Sequence, residues 1–266
     1  MIFVLDACSA INLLHIFKND DIFLKKVIFE NYHIHFTKKV LLEIDKNLFD
    51  NKLYLVAEEK QSIRDIKNIL FKASPNEDKT SQKYLGTITN YHKENGEFFS
   101  SALALNLSRL EKDYIFFVTD EIPARNDFGS FFNEHKIGDI ISTANFLYIV
   151  YQLNEESISI KESFFNLKRQ YLIEMESFEQ NIDKLKSKYQ DRREIYFLDT
   201  FMASLKNIEI EKLQTFEIKS KLPLDIKKQA KEIKEYMNQS FNNKKILFDE
   251  IDNYLQLIQN KKYYRL

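Results

Sequence analysis

Acidic residues stand at two places where an apolar run stops. Ile2-Phe3-Val4-Leu5 runs directly into Asp6, and Tyr114-Ile115-Phe116-Phe117-Val118 runs into Thr119-Asp120-Glu121. Short continuous apolar runs of this kind suit strands buried on both faces of a parallel sheet. A residue that follows such a strand lies at the carboxyl edge, where open α/β sheets bind their ligands. Carboxylates there are hard oxygen donors, matched to Mg²⁺ or Mn²⁺ rather than to softer metals. Taken singly, Asp6 reads equally as a turn or capping aspartate at a strand exit.

The segments between these acids supply the elements that must position them. Ser9 is a plausible N-cap for an apolar helix over residues 10–17, and residues 21–31 carry Ile22, Phe23, Val27 and Ile28 at helical spacing. His33-Ile34-His35-Phe36 alternates as a second short strand, and Thr37 can cap the helix after it. On that helix Val40, Leu41 and Ile44 face a core while Glu43 points elsewhere. Helical readings over 53–72 and 78–93 are joined by a turn at Ala73-Ser74-Pro75-Asn76. Glu97 opens a helix whose Ala102, Leu103, Leu105 and Leu107 wrap much of its surface, as in a helix packed on a sheet. A helix over 122–135, a strand over 137–141 and a helix to 152 complete a parallel α/β unit. His33 and His35, with no cysteine partner, read as a structural pair rather than a zinc site. Cys8 reads as a small buried residue, since no motif histidine accompanies it.

Composition bounds the rest. At 266 residues the chain can bury a sizeable core in one or two domains. Its 39 Lys+Arg against 40 Asp+Glu leave a net charge of -1, so any basic surface must be local. A single cysteine excludes an internal disulfide framework and fits a reducing compartment. No apolar run approaches the roughly 20 residues that span a bilayer, and the short N-terminal run is followed at once by Asp6. The expected location is the cytoplasm.

Residues 153–266 change character, with one proline, no glycine and long charged–apolar mixtures. A long amphipathic helix is expected over 155–190, carrying Phe164, Leu167, Tyr171, Met175, Phe178, Ile182, Leu185 and Tyr189 at spacings of three and four. That stripe should be buried either within the chain or across a dimer. Further helices are expected over 195–205, 225–241 and 244–257, before a basic-aromatic tail, Lys261-Lys262-Tyr263-Tyr264-Arg265, that reads as a frayed terminus or an RNA contact. The expected organisation is an α/β domain over 1–152 and an all-α domain over 153–266.

Four motifs in order resemble the PIN-domain nucleases: Asp6-x-x-Ser9-x-x-x-Leu13-Leu14, Val40-x-x-Glu43, Gly96-Glu97 followed by Leu103-Ala104-Leu105, and Thr119-Asp120-Glu121-x-x-Ala124-Arg125. The likeness covers about residues 1–150 and is greatest to the branch with a Gly-Glu third motif and an Asp-Asp-x-x-Ala-Arg last motif. It implies a PIN-like parallel sheet flanked by helices. It also implies catalytic acids at Asp6, Glu43, Glu97, Asp120 and Glu121, of which Asp6, Glu97, Asp120 and Glu121 would hold Mg²⁺ or Mn²⁺ and Glu43 a metal-bound water. Glu121 stands where the family carries aspartate, and Asp127 is the alternative acid. Ser9, Thr119 and Arg125 are the substrate-side candidates, Arg125 through a phosphate.

Local readings stay open beside these. Glu97 and Glu121 suit the first turn of a helix whatever their function, Thr119 can simply end a strand, and Arg125 sits one turn from Glu121, where a salt bridge forms readily. Against them, three or four carboxylates brought together repel one another, which a purely structural site would gain nothing from. The implied activity is metal-dependent endonucleolytic hydrolysis of RNA, with DNA as the other polymer, in a toxin or defence effector. The C-terminal helices would dock a protein partner or self-associate. The rival expectations are a PIN-fold scaffold without activity and a flap-type nuclease acting on DNA.

Overall fold

Residues 1–17, 24–48, 57–76, 78–88, 94–154, 159–172 and 175–260 are described by the structure, a computed structural model. Four short strands, β1 (Ile2–Leu5), β2 (His33–His35), β3 (Ile115–Val118) and β4 (Gly138–Ile141), form one sheet in the order β2-β1-β3-β4. All three pairings are parallel, with Leu5 opposite Val118 and Val118 opposite Ile141. Parallel neighbours cannot be joined by tight turns, so helices carry every crossover. α1 (Ala7–Ile16) and a π-helical segment (Leu24–Phe29) lead from β1 to β2. From β2 the chain passes through α2 (Lys38–Leu48), α3 (Ala57–Leu70), α4 (Lys79–Ile88) and α5 (Gly96–Glu111) to β3. α6 (Ile122–Glu134) connects β3 to β4, and α7 (Thr143–Leu153) follows.

The sheet is covered on both faces, which is why its two central strands, β1 and β3, read as unbroken apolar runs. Ile2, Val4, Ile115 and Phe117 share a core with Ala102 to Leu105 and Leu107 of α5 and with Ala124, Phe128 and Phe132 of α6. Phe3 points the other way and meets Tyr32, Phe116 and Phe146 at ring-centroid distances of 5.7, 5.3 and 4.9 Å. Each fully buried side chain of this size contributes about 1.5–3 kcal/mol. Small residues let α5 approach closely: Ser100 is fully buried and its Oγ donates to the Leu5 carbonyl at 3.4 Å.

Backbone bonds carry the ladder one step past the strands. The Asp6 amide donates to the Val118 carbonyl at 3.1 Å and the Thr119 amide to the Ile141 carbonyl at 2.9 Å. The exits of β1, β3 and β4 are therefore level, and Asp6 and Thr119 lie side by side. Thr37 caps α2 as expected, its Oγ1 accepting from the Val40 amide at 3.1 Å.

After α7 the chain is helical: α8 (Ile160–Tyr171), α9 (Met175–Lys188), α10 (Arg192–Lys206), the short α11 (Ile210–Thr215) and α12 (Leu224–Gln259). Contacts divide the molecule into one compact unit of Met1–Phe164 with Glu250–Leu266, and another of Phe165–Asp249. The sequence reading placed its boundary after residue 152, at the end of the α/β elements, and a returning C-terminal segment was not foreseen. The chain is thus α/β, with a four-stranded all-parallel sheet and a helical C-terminal region.

Several element boundaries differ from expectation. The helix expected over 155–190 is two, because α8 ends at Tyr171 and Leu172 forms a buried turn that accepts from the Met175 amide at 3.0 Å. The Phe164–Ile182 part of the stripe is still buried within the chain, which serves two helices as well as one. Conversely, the two helices expected over 225–241 and 244–257 are one helix of 36 residues, roughly 54 Å long. Asn242 and Asn243 cost a helix interior only a few tenths of a kcal/mol each, about 0.5, and no glycine or proline intervenes. The helix expected over 21–31 is π-helical where it is described, at Leu24–Phe29. The expectations for residues 21–23, 53–56, 89–93, 155–158, 173–174 and the tail at 261–265 lie outside the described residues. Among the described residues no helix is long and apolar enough to cross a membrane.

Gly138 enters β4 with φ +153, and a Cβ there would sit 1.8 Å from the Ile115 carbonyl oxygen. Gly138→Ala is therefore expected to destabilise the sheet by about 3 kcal/mol or more. A urea midpoint equal to that of the wild type would show that the β3–β4 pairing is not built this tightly.

Candidate active site

Asp6 is the centre of the carboxyl edge, and it is fully buried. It, and not Ser9, is the N-cap of α1: its backbone is extended (φ -80, ψ 178) and its Oδ1 accepts from the Ser9 amide at 2.7 Å. The aspartate reaches the third amide of the helix, so Ala7, Cys8 and Ser9 are drawn into the first turn and the helix begins earlier than expected. Ser9 is left inside that turn, its Oγ buried without a partner. The other oxygen of Asp6, Oδ2, accepts from Thr119 Oγ1 at 2.5 Å, and the same hydroxyl accepts from the Glu121 amide at 3.1 Å. Thr119 thus ties β1 to the start of α6.

Burial pushes the Asp6 carboxyl up to about 8. The Thr119 and Ser9 hydrogen bonds pull the other way, and the charges of Asp120 and Glu97 push it further up. Glu97, in the first turn of α5, is also raised, first by burial and then by Glu121 and Glu43, against the pull of its own backbone amide. Its Oε2 is buried without a partner. Among the described residues no lysine or arginine forms an ion pair with Asp6, Glu43, Glu97 or Glu121.

Glu43 reaches the group from α2. Its Oε1 accepts from the Gly96 amide at 3.0 Å, which satisfies a donor at the start of α5. The approach is so close that a Cβ on residue 96 would lie 2.4 Å from Glu43 Oε2. The glycine of the Gly-Glu pair is therefore what admits the Glu43 carboxylate.

Asp120 is buried and held differently. Thr143 donates to it twice, from its amide to Oδ1 at 2.9 Å and from Oγ1 to Oδ2 at 2.7 Å, and Asn12 Nδ2 donates to Oδ2 at 2.8 Å. Neither Asn12 nor Thr143 was singled out from the sequence. A signal existed for each: Asn12 is a lone amide in the apolar run of α1, and Ser142-Thr143 follows β4 just as Thr119-Asp120 follows β3.

Of the remaining candidates, Glu121 acts on this cluster through its charge, which raises Glu97. Glu121 N-caps α6 by backbone alone and is exposed, as is Asp127. Arg125 does not pair with Glu121; its Nη2 contacts Glu250 Oε1 at 2.8 Å. His35 Nδ1 meets Ser74 Oγ at 3.2 Å. Cys8 is half-buried, with Asn12 Nδ2 at 4.0 Å from its Sγ.

Among the described residues no three His, Cys, Asp or Glu side chains are drawn together as a ready ligand set for a metal. The acids nevertheless fit a hard divalent cation in donor type and in charge. They are mutually repelling carboxylates, one with an orphaned buried oxygen, and among the described residues no lysine or arginine pairs with Asp6, Glu43 or Glu97. The hydrogen-bonded oxygens of Asp6 and the Oε1 of Glu43 each accept one bond and keep a second lone pair.

No protein-family model, curated protein or solved structure matches the chain.

Two outcomes are expected from this geometry. Between about 3.8 and about 8 the folded chain holds a proton on Asp6 that the unfolded chain releases. Metal-free stability conferred by this group is therefore complete below that window and is lost as pH rises through it, by up to about 1.4 kcal/mol per pH unit. Asp6→Asn keeps the cap and removes the titration, so in EDTA it should melt above the wild type at pH 8 and lose that advantage towards pH 4. A difference that does not change with pH would refute the burial of Asp6 as the cause. Gly96→Ala should displace the Glu43 carboxylate and cost about 1–2 kcal/mol by leaving a buried amide without its acceptor. Unfolding by urea would show it, and Glu43→Ala/Gly96→Ala should then lose little more than Glu43→Ala.

Proposed function

We propose that this chain is a metal-dependent endonuclease of the PIN type that hydrolyses RNA phosphodiester bonds. The observation that carries the reading is Asp6 at the carboxyl edge, fully buried, raised first by that burial and then by the charges of Asp120 and Glu97, and paired with no lysine or arginine among the described residues. A site serving stability alone would gain nothing from such repulsion. The parallel sheet and the order of the acids along the chain agree with the motif resemblance, and RNA is the substrate which that resemblance implies.

Mg²⁺ or Mn²⁺ would be held by Asp6, Glu97, Asp120 and Glu121, where it would supply an activated water and neutralise charge on the phosphate oxygens. The chain's own residues have separable tasks. Asp6 must give up its proton before it can act as a ligand, so apparent metal affinity should climb as pH rises towards about 8. Thr119 fixes the direction of Asp6 Oδ2 through its hydroxyl. Asn12 and Thr143 orient Asp120. Glu43, anchored on the Gly96 amide, sets the start of α5 and with it Glu97. Arg125 would be the cation that meets a substrate phosphate.

A second reading, a PIN-fold binding protein without activity, is favoured by one observation: no converged ligand set exists among the described residues. Under the first reading the chain works in the cytoplasm as a toxin or defence effector, with a partner on its C-terminal helices. Cleavage of labelled single-stranded and structured RNA, with DNA in parallel, separates the readings. Wild type should cut RNA in Mn²⁺ or Mg²⁺, stop in EDTA, and lose about 100-fold or more in Asp6→Asn. Cutting that persists in Asp6→Asn would overturn the assignment of the site. Folded wild type that neither cuts nor binds Mn²⁺ would leave the binding-protein reading.

A further inference from the structure

Arg125 lies in the second turn of α6, just past Thr119, Asp120 and Glu121. Its guanidinium is held by Glu250, near the end of α12 and within the same compact unit. Three features make this pair unusual. Each side chain is only 23% exposed, so both charges have left most of their water. The contact is a single one, Nη2 to Oε1 at 2.8 Å, although guanidinium and carboxylate can form two parallel bonds. Finally, Arg125 Nη1 and Glu250 Oε2 are both buried without a hydrogen-bond partner. Two unsatisfied buried polar atoms in one ion pair cost free energy that a bidentate pair would avoid. The pair is thus poorly built as a stabilising bridge.

We infer that Arg125 is a phosphate subsite and that Glu250 is an in-chain carboxylate that occupies it until a phosphate displaces it. A phosphodiester presents two non-bridging oxygens, which can satisfy Nη1 and Nη2 together where Glu250 satisfies one. Tyr254 is raised to about 12, first by burial and then by the Glu250 charge, while Arg125 lowers it, so its hydroxyl stays neutral beside the pair. Glu250 is therefore an autoinhibitory residue of the proposed nuclease, and this inference rests on that reading for the identity of the phosphate's owner.

The test uses the full chain and two probes. The first is inorganic phosphate, read as a shift in melting temperature, which is independent of any cleavage. Glu250→Gln should gain a phosphate-dependent rise at tens of millimolar phosphate that the wild type lacks, and Glu250→Gln/Arg125→Ala should not show it. The second probe is a fluorescent single-stranded RNA, its anisotropy followed in EDTA. Glu250→Gln should bind it about tenfold tighter, the worth of one charge-assisted bond, with no gain in the double variant. Glu250→Met, which fills the same space without charge, serves if the glutamine variant misfolds.

A gain of the same size in the Arg125→Ala background would mean general relief of repulsion and would overturn the proposal. So would a Glu250 variant that folds and responds to phosphate and RNA as the wild type does, even if the wild type cuts RNA. An Arg125-dependent phosphate response in a protein that neither binds nor cuts RNA would uphold the subsite and sink the nuclease reading instead.

Discussion

The structure depends on a carboxylate that folding has made difficult to ionise. Asp6 closes β1, starts α1 and touches Thr119 at the end of β3, all with one side chain and no exposure to water. Both oxygens are hydrogen-bonded, yet these bonds do not outweigh burial, and Asp120 and Glu97 add repulsion from the same side. An asparagine would do the capping and bridging at lower cost. The buried, titratable carboxyl is what remains unexplained by structure, and it is what a functional account must use.

Most of the first unit serves to keep that charge in place. The parallel ladder runs one residue beyond the strands, so Asp6 and Thr119 cannot slip relative to each other without breaking bonds to Val118 and Ile141. α5 is brought close to β1 by Ser100 and a run of small residues, which carries Glu97 to the edge. Glu43 then holds the beginning of α5 from a neighbouring helix, in a space that only glycine at 96 leaves open. In each case a backbone feature fixes where a carboxylate sits.

How much of this was legible follows from which signals are local. β1, β3, α5, α6 and α7 are continuous apolar or periodic stretches, and their existence could be read directly from residue order. The strand exits at Asp6 and Thr119 came with them, because an acid after a buried run can lie nowhere but the edge. The cap of α1 was misplaced because serine and aspartate compete for that role, and only tertiary burial shows that Asp6 turns back onto Ser9. Asn12 and Thr143 were missed because their importance lies in meeting Asp120 across 108 and 23 residues. The single helix α12 was split on paper by two asparagines, whose small propensity cost packing overrides. The pairing of Arg125 with Glu250 across 125 residues had no local trace at all.

The electrostatics of the unit bear on the order in which a phosphate ester could enter. The chain as a whole is nearly neutral, so no long-range field draws a polyanion in. At the carboxyl edge the acids repel it, and the one arginine nearby in sequence is already neutralised by Glu250. On the proposed reading two exchanges are therefore needed, a cation for the proton on Asp6 and a phosphate for the carboxylate at Arg125. Loading the cation first removes repulsion and lets a phosphate compete with Glu250, whereas a phosphate arriving first meets acids on one side and an occupied arginine on the other. The same two groups that raise the cost of the folded state would thus make binding of metal and of substrate mutually dependent.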